Sequence, residues 1–153
     1  MCVNHFVLPQ VLVGEHDLLD NFFKGLIDGA VRHDVDCIKD HPRYNNKTIN
    51  NDFSILILKE PIDLVSKDSL ARAACLPDPV DTAFSARTTF TVSGWGTLRY
   101  KGNSSNVLHH VEIPFVSPEN CYNSTGLITD QMMCGGNVED GGVDSCQGDS
   151  GGE

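Results

Sequence analysis

The chain has 153 residues, of which 40% are hydrophobic and 21% charged. This composition fits one globular domain with a core, and it excludes disordered, collagen-like and low-complexity proteins. With 21 acidic and 11 basic residues the formal charge is −10, so we expect no binding to nucleic acid or to anionic membranes. No apolar run approaches the roughly 18–20 residues of a membrane span, and residues 1–10 lack the basic and apolar regions of a secretory signal.

Short strands separated by polar turns follow one another along the chain. The strand candidates, in chain order, are 10–14, 31–37, 53–58, 88–93, 107–113 and 131–134. The second alternates apolar and polar residues, whereas the continuous apolar run of the third predicts a strand buried on both faces. Residues 17–26 form either a helical turn or a loop. A short helix is predicted over 117–122, with Ser117 as its N-cap and Glu119 in its first turn.

Many short strands at regular spacing predict an all-β fold. The character of the sequence changes over 73–87, between two sets of strands. We therefore predict two antiparallel β-barrels, with 1–72 as the first barrel, 73–87 as a crossover and 88–153 as an incomplete second barrel.

Six cysteines are dispersed along the chain, and none lies in a CxxC pair or at zinc-site spacing. This pattern favours disulfides over a metal site. Three N-glycosylation sequons begin at Asn46, Asn103 and Asn123. Together, the cysteines and sequons predict an extracellular, secreted glycoprotein. The cysteines are Cys2, Cys37, Cys75, Cys121, Cys134 and Cys146.

The most informative chemistry lies in the run Asp-Ser-Cys-Gln-Gly-Asp-Ser-Gly-Gly at 144–152. A serine hydroxyl such as that of Ser150 is a poor nucleophile until a base activates it. Flanking glycines allow unusual backbone dihedrals, so the N–H groups of Gly148 and Ser150 could converge on a developing oxyanion. The alternative is a glycine-rich loop without function, which the preceding Asp-Ser-Cys-Gln disfavours.

This run resembles the nucleophile motif of the chymotrypsin-like serine proteases, in its trypsin-like form. The resemblance implies that Ser150 is the nucleophile and that the N–H groups of Gly148 and Ser150 form the oxyanion hole. It implies that Asp144 pairs with a substrate arginine or lysine at the base of the specificity pocket. It also implies that Asp149 receives a new N-terminal ammonium after zymogen cleavage.

A second segment, 51–58, resembles the family strand that carries the triad carboxylate, which implies this role for Asp52. The resemblance also implies a disulfide between Cys121 and Cys134. Shorter matches extend it over nearly the whole chain. They lie at 11–17, 41–45, 74–77, 93–97 and 132–136.

The chain departs from the family pattern at both ends. The family's catalytic histidine directly precedes the cysteine that Cys2 matches, and Met1 stands in its place. His5 is nearest, but its position three residues beyond Cys2 makes it a poor substitute. The family continues beyond the residue matched by Gly152, whereas this chain ends at Glu153. We therefore expect the sequence to be incomplete at both ends.

The resemblance leaves four cysteines without an assigned partner. The family partners of Cys2 and Cys146 are expected outside this chain, Cys37 has no counterpart, and the partner of Cys75 is open. No metal or other cofactor is expected. Trypsins can bind calcium in the loop after Gly-Glu-His, and Glu15 fits the first ligand position. Phe22, Phe23 and Lys24 stand where the later carboxylates belong.

The resulting hypothesis is a serine endopeptidase that cleaves proteins or peptides after arginine or lysine through an acyl-enzyme on Ser150. The chain as written is expected to be inactive, because the catalytic histidine is missing. The alternative is a non-catalytic protease homologue that acts as a secreted binding or regulatory module. A third interpretation, an all-β domain with chance motifs, conflicts with the ordered agreement of several segments.

Overall fold

The computed structural model describes residues 9–19, 30–67, 69–76, 78, 84–85, 87–126, 128–138 and 145–152. The chain divides into two compact units, Met1–Leu76 and Pro77–Glu153. This division falls within 73–87, whose role as a crossover stays a prediction. None of the helices in the described ranges is long and apolar enough to cross a membrane.

The first unit contains one antiparallel sheet of three strands, in the order β1-β2-β3. The strands are β1 (Gln10–Val13), β2 (Val31–Asp40) and β3 (Ser54–Leu58). Gln10 lies opposite Asp34 in the first pair, and Asp40 lies opposite Ser54 in the second. The strands predicted at 10–14 and 31–37 are thereby confirmed, the second being three residues longer than predicted.

The central strand β2 buries every second side chain between His33 and Cys37. His33, Val35 and Cys37 are buried, whereas Asp34 and Asp36 between them are exposed. This alternation follows from the two-residue period of a strand. The register with β3 shifts between Val35 and Cys37, as at a β-bulge, where one strand carries an extra residue.

The prediction that β3 is buried on both faces is wrong. Its first three residues are exposed, with Ile55 at 57% of its full accessibility, and Phe53 just before the strand reaches 72%. Within the described sheet β3 pairs with β2 along one side only. An apolar run is buried only where other elements cover its faces, and no described element of this unit covers both faces of β3.

The second unit contains a second antiparallel sheet of three strands, in the order β4-β5-β6, and one helix. Thr89 lies opposite Pro114, and Gly94 lies opposite His109. A strand predicted at 131–134 is observed, but it begins only at Cys134 and has two residues. The elements are β4 (Thr89–Gly94), β5 (His109–Val116), α1 (Pro118–Thr125) and β6 (Cys134–Gly135). Two antiparallel sheets and one short helix confirm the all-β prediction.

Three phenylalanines form an aromatic cluster on the second sheet. The ring centroids of Phe84, Phe90 and Phe115 lie 5.5–6.1 Å apart, with two of the three pairs edge to face. These separations are typical of favourable aromatic pairs. Together with the buried Ile113 and Val116, the cluster provides the apolar contacts of this unit.

The helix α1 begins where the sequence predicts. The hydroxyl of Ser117 accepts a hydrogen bond from the N–H of Asn120 at 3.3 Å, Pro118 occupies the first turn, and Glu119 adds a negative charge there. Each feature stabilises a helix N-terminus. A disulfide joins Cys121 of the helix to Cys134 of β6, with 6.2 Å between the Cα atoms. This is the pair that the family resemblance implied.

Three further cysteines lie in the described residues. Cys37, for which the resemblance offered no counterpart, is disulfide-bonded, and its partner lies outside the described residues. Cys75 and Cys146 form no disulfide within the described residues, and the first is exposed whereas the second is half-buried. The structure thus shows a disulfide bond at Cys37 that the family resemblance did not imply.

Asp34 on the exposed face of β2 makes part of the stability depend on pH. Hydrogen bonds from the side chains of Gln10, at 2.8 Å, and Lys59, at 3.4 Å, lower the pKa of its carboxyl below the ordinary value of 3.8. Because the folded-state pKa is the lower one, the stabilisation is present above pH 3.8 and is lost as the pH falls through the folded-state value.

We therefore expect Asp34→Asn to lower the melting temperature slightly at about pH 7, and to have a progressively smaller effect as the pH falls below 3.8, because the folded-state carboxyl then takes up its proton. Asp36→Asn removes the same charge from the same face of β2 and is the matched control. Equal effects of the two substitutions at about pH 7 would contradict the role given to Asp34.

Candidate active site

The candidate nucleophile lies in a loop, 145–152, that turns back on itself twice. The N–H of Asp149 donates to the carbonyl oxygen of Cys146 at 3.0 Å, and the N–H of Gly152 donates to the carbonyl oxygen of Asp149 at 2.9 Å. The carbonyl oxygen of Gln147 accepts from the N–H of Thr97 at 3.0 Å. The first two bonds close the turns within the loop, and the third joins the loop to the turn that follows β4.

The carboxylate of Asp149 is the centre of this arrangement. One oxygen accepts from the N–H of Gly96, and the other from the N–H of Cys146, each at 2.8 Å. Hydrogen bonds to an ionised acceptor are roughly twice as strong as neutral ones. The same side chain therefore fixes both the start of its own loop and the turn after β4, 53 residues earlier in the chain.

This close approach explains a glycine in the Gly-Trp-Gly turn at 94–96. A Cβ atom on the buried Gly96 would stand 2.6 Å from the carboxyl carbon of Asp149, closer than non-bonded atoms pack. A Cβ on Gly152 would likewise overlap the carbonyl oxygen of Ser93. The contact of this turn with Asp149 was not predicted from the sequence, although its two glycines, Gly94 and Gly96, were the available signal.

Ser150 and the two candidate oxyanion donors are accessible. Ser150 and Gly148 are exposed, and Gly148 has a φ of 103°, which L side chains rarely adopt. Among the described residues, neither the N–H of Gly148, nor the N–H of Ser150, nor the Ser150 hydroxyl makes a hydrogen bond. An incoming carbonyl oxygen therefore displaces no internal partner from these groups.

Asp52, the candidate triad carboxylate, belongs to the first unit and lies two residues before the start of β3. The turn before it is held by hydrogen bonds from the N–H of His41 to the carbonyl oxygen of Phe53, at 2.8 Å, and from the Asn51 side chain to the carbonyl oxygen of Arg43, at 3.1 Å. Asp52 is exposed, and its carboxylate has no hydrogen-bond partner in the described ranges. It is therefore open to a partner group.

Several predicted positions lie outside the described residues. They are Asp144 of the specificity pocket, the N-terminal Met1, Cys2 and His5, and the aromatic and lysine positions Phe22, Phe23 and Lys24. The carboxylate of Glu15 is described, and it accepts from the N–H groups of His16 and Asp17 at 2.9 and 3.0 Å. Within the described ranges no three metal-ligating side chains cluster.

A cavity of about 210 Å³ lies beside the loop within the second unit. Its walls include Val92, Gly96, His110, Cys146 and Asp149, but not the nucleophile candidate. The cavity is therefore on the side of the loop where the Asp149 carboxylate is anchored.

Comparison with known proteins agrees with this class of fold and loop. The family model described as Trypsin matches residues 2–152. Over 94% of this chain, the sequence is 37% identical to "Trypsin-3" of Salmo salar. It is 42% identical to "Trypsin 5G1" of Aedes aegypti over 73% of this chain, and 36% identical to "Trypsin" of Simulium vittatum over 82% of this chain. The matching family model and these relatives, together with the antiparallel sheets, define the class as that of the trypsin-like serine proteases. The chain belongs to the trypsin family.

The match covers these relatives only in part. The chain spans 56% of the salmon protein, 41% of the mosquito protein and 50% of the black-fly protein. It therefore spans about half the length of the curated relatives it matches.

Proposed function

We propose that the whole protein is a secreted serine endopeptidase that cleaves polypeptides after arginine or lysine. The observation that carries the proposal is the loop 145–152, in which the exposed Ser150 stands beside two unpaired N–H groups in a chain of the trypsin family. Fold alone does not select a chemistry, but this combination of groups fits acyl transfer.

In the proposed reaction the Ser150 Oγ attacks the scissile carbonyl carbon. The N–H groups of Gly148 and Ser150 stabilise the oxyanion that forms. They donate hydrogen bonds to the position that this oxygen takes in the tetrahedral intermediate, and not to the position of the ground-state carbonyl oxygen. The C–N bond then breaks, the amine leaves with a proton, and water hydrolyses the ester on Ser150. Asp52 is proposed to orient the imidazole that takes and returns this proton.

We propose that Asp144 selects the substrate. A carboxylate in a desolvated pocket gains a charge-assisted hydrogen bond from an arginine or lysine side chain, and it is left unpaired by a neutral one. The cost of leaving this buried carboxylate unpaired gives a large discrimination between basic and neutral substrates. The substrate class is therefore proteins and peptides with a basic residue before the cleaved bond.

We also propose that the 153 residues by themselves are inactive. The general base of this mechanism is an imidazole, and none of the six histidines stands directly before Cys2. The alternative proposal is a non-catalytic homologue that works as a secreted binding or regulatory module.

Labelling with a fluorophosphonate, which reacts with activated serines, distinguishes the two candidates. The protein is purified from its natural source and identified by peptides of this sequence. The endopeptidase proposal predicts that the label attaches to Ser150 and that arginine and lysine substrates are hydrolysed in preference to neutral ones. A folded natural protein without label or hydrolysis would support the non-catalytic homologue, and labelling with a preference for neutral substrates would refute the role of Asp144.

A further inference from the structure

We propose that Asn46 is the principal N-glycosylation site of this protein. Its sequon, Asn46-Lys47-Thr48, occupies the turn between β2 and β3, and all three residues are exposed. The carboxamide of Asn46 and the hydroxyl of Thr48 make no hydrogen bond within the described residues. Both groups that an N-glycosylation sequon contributes, the asparagine amide and the hydroxyl two residues later, are thus available together.

The backbone of this turn explains why these side chains face outward. The side-chain oxygen of Asn45 accepts from the N–H of Lys47 at 2.9 Å and from the N–H of Thr48 at 3.4 Å. The N–H of Asn45 donates to the carbonyl oxygen of Asn50 at 3.0 Å, which closes the turn. Because Asn45 satisfies the local backbone donors, the side chains of Asn46 and Thr48 are not needed for that purpose.

The other two sequons differ in their hydroxyl groups. Ser105 donates its hydroxyl to the carbonyl oxygen of Val107 at 2.7 Å and accepts from the N–H of Val107 at 3.1 Å. Thr125 donates to the carbonyl oxygen of Cys121 at 3.0 Å, within the helix that also carries Asn123. In both cases a hydrogen bond of the folded structure occupies the hydroxyl that the modifying enzyme needs. At Asn123 the helix also fixes the backbone conformation of the sequon.

The modification joins a carbohydrate to the amide nitrogen. A bond forms between Asn46 Nδ2 and the anomeric carbon of an oligosaccharide carried on a lipid pyrophosphate. The bond from that carbon to the pyrophosphate oxygen breaks, the pyrophosphate leaves with the bonding electron pair, and Nδ2 loses one proton. Nothing is oxidised or reduced. The inference rests on the proposed secretory route, where this donor is present, and it is independent of the proposed proteolytic activity.

The test expresses the whole protein behind a strong secretory leader and measures site occupancy by peptide mass spectrometry, using the Asn→Asp conversion that an N-glycosidase leaves. We expect occupancy at Asn46 in most molecules, and clearly lower occupancy at Asn103 and Asn123. Thr48→Ala is expected to abolish the glycan at Asn46, whereas the matched variant Thr48→Ser, which keeps a hydroxyl, is expected to retain it. Unchanged thermal unfolding of both variants shows that they fold.

An unoccupied Asn46 in a folded secreted product overturns the proposal, whether or not the other sequons carry glycans. Retention of the glycan in Thr48→Ala overturns it as well. The same mass spectrometry on the natural protein distinguishes a failure of the proposed glycosylation site from a failure of the proposed secretory route. If the leader-directed product is glycosylated at Asn46 while the natural protein is recovered from inside the cell without a glycan, the site is supported and the proposed secretory route is contradicted.

Discussion

Replacement of Ser150 by alanine in the whole protein is expected to lower kcat for an arginine or lysine peptide substrate by about 10⁵–10⁶-fold, with little change in KM. The substitution removes the oxygen that forms the acyl-enzyme. It leaves the N–H groups of Gly148 and Ser150 in place, because these belong to the backbone. A residual rate above that of water is therefore also expected, since oxyanion stabilisation and substrate binding persist.

The control for this experiment is Ser104→Ala. Ser104 is an exposed serine of the same unit whose hydroxyl makes no hydrogen bond in the described ranges, so its loss should leave kcat unchanged. Both proteins should unfold at the wild-type temperature, because neither hydroxyl is buried. If Ser150→Ala retained more than about one hundredth of the wild-type kcat, far above the residual rate of serine enzymes without their nucleophile, another group would be the nucleophile.

Replacement of Gly96 by alanine is expected to destabilise the second unit by roughly 2–4 kcal/mol. The added methyl group overlaps the carboxylate of Asp149, and overpacking of this kind costs about 1–3 kcal/mol. Moving the carboxylate away also weakens its charge-assisted hydrogen bonds from Gly96 and Cys146, which contribute about 1.5–3 kcal/mol each. The expected fall in melting temperature is roughly 5–15 °C.

A double-mutant cycle isolates the steric cause. In an Asp149→Ala background the overlapping carboxylate is absent, so Gly96→Ala should cost much less than it does in the wild-type protein. The difference between the two costs is the coupling between the sites, expected to be about 1–3 kcal/mol. Equal costs in the two backgrounds would mean that the methyl group meets something other than Asp149.

Loss of the Asp149 anchor should also affect the candidate active site. The loop 145–152 is held to the end of β4 through this carboxylate and the bond from Thr97 to Gln147. A displaced Asp149 changes the backbone on both sides of itself, at Gly148 and Ser150. Gly96→Ala in the whole protein should therefore lower kcat together with stability, although no atom of Gly96 belongs to the proposed reacting groups.

Local patterns in the sequence were sufficient for several elements. The alternation over 31–37 predicted the strand β2, because a strand places successive side chains on opposite faces. Ser117 predicted the start of α1, because a side-chain oxygen at that position satisfies a helix N–H group. The motif at 144–152, with Ser150 between glycines, was sufficient to identify the candidate nucleophile loop, because chance rarely produces this run of residues.

The same kind of reasoning failed where a neighbour decides the outcome. The apolar run of β3 predicted burial on both faces, yet Ile55 and Phe53 are exposed in the first unit. Hydrophobicity shows that a strand can be buried, but its exposure depends on which elements cover it. All three sequons fit the same sequence pattern, and only the structure shows that Ser105 and Thr125 use their hydroxyls in hydrogen bonds and that Asn123 lies in a helix.

The sequence by itself thus determined the family, the all-β class and the candidate nucleophile Ser150, because motifs, strand periodicity and capping depend on residues close together in the chain. Only the tertiary structure showed that the carboxylate of Asp149 bonds to the N–H of Gly96 across 53 residues. It also decided the exposure of β3 and the disulfide bonding of Cys37. The physical reason is that burial, steric overlap and long-range hydrogen bonds depend on which groups approach in space, and spacing along the chain does not specify that.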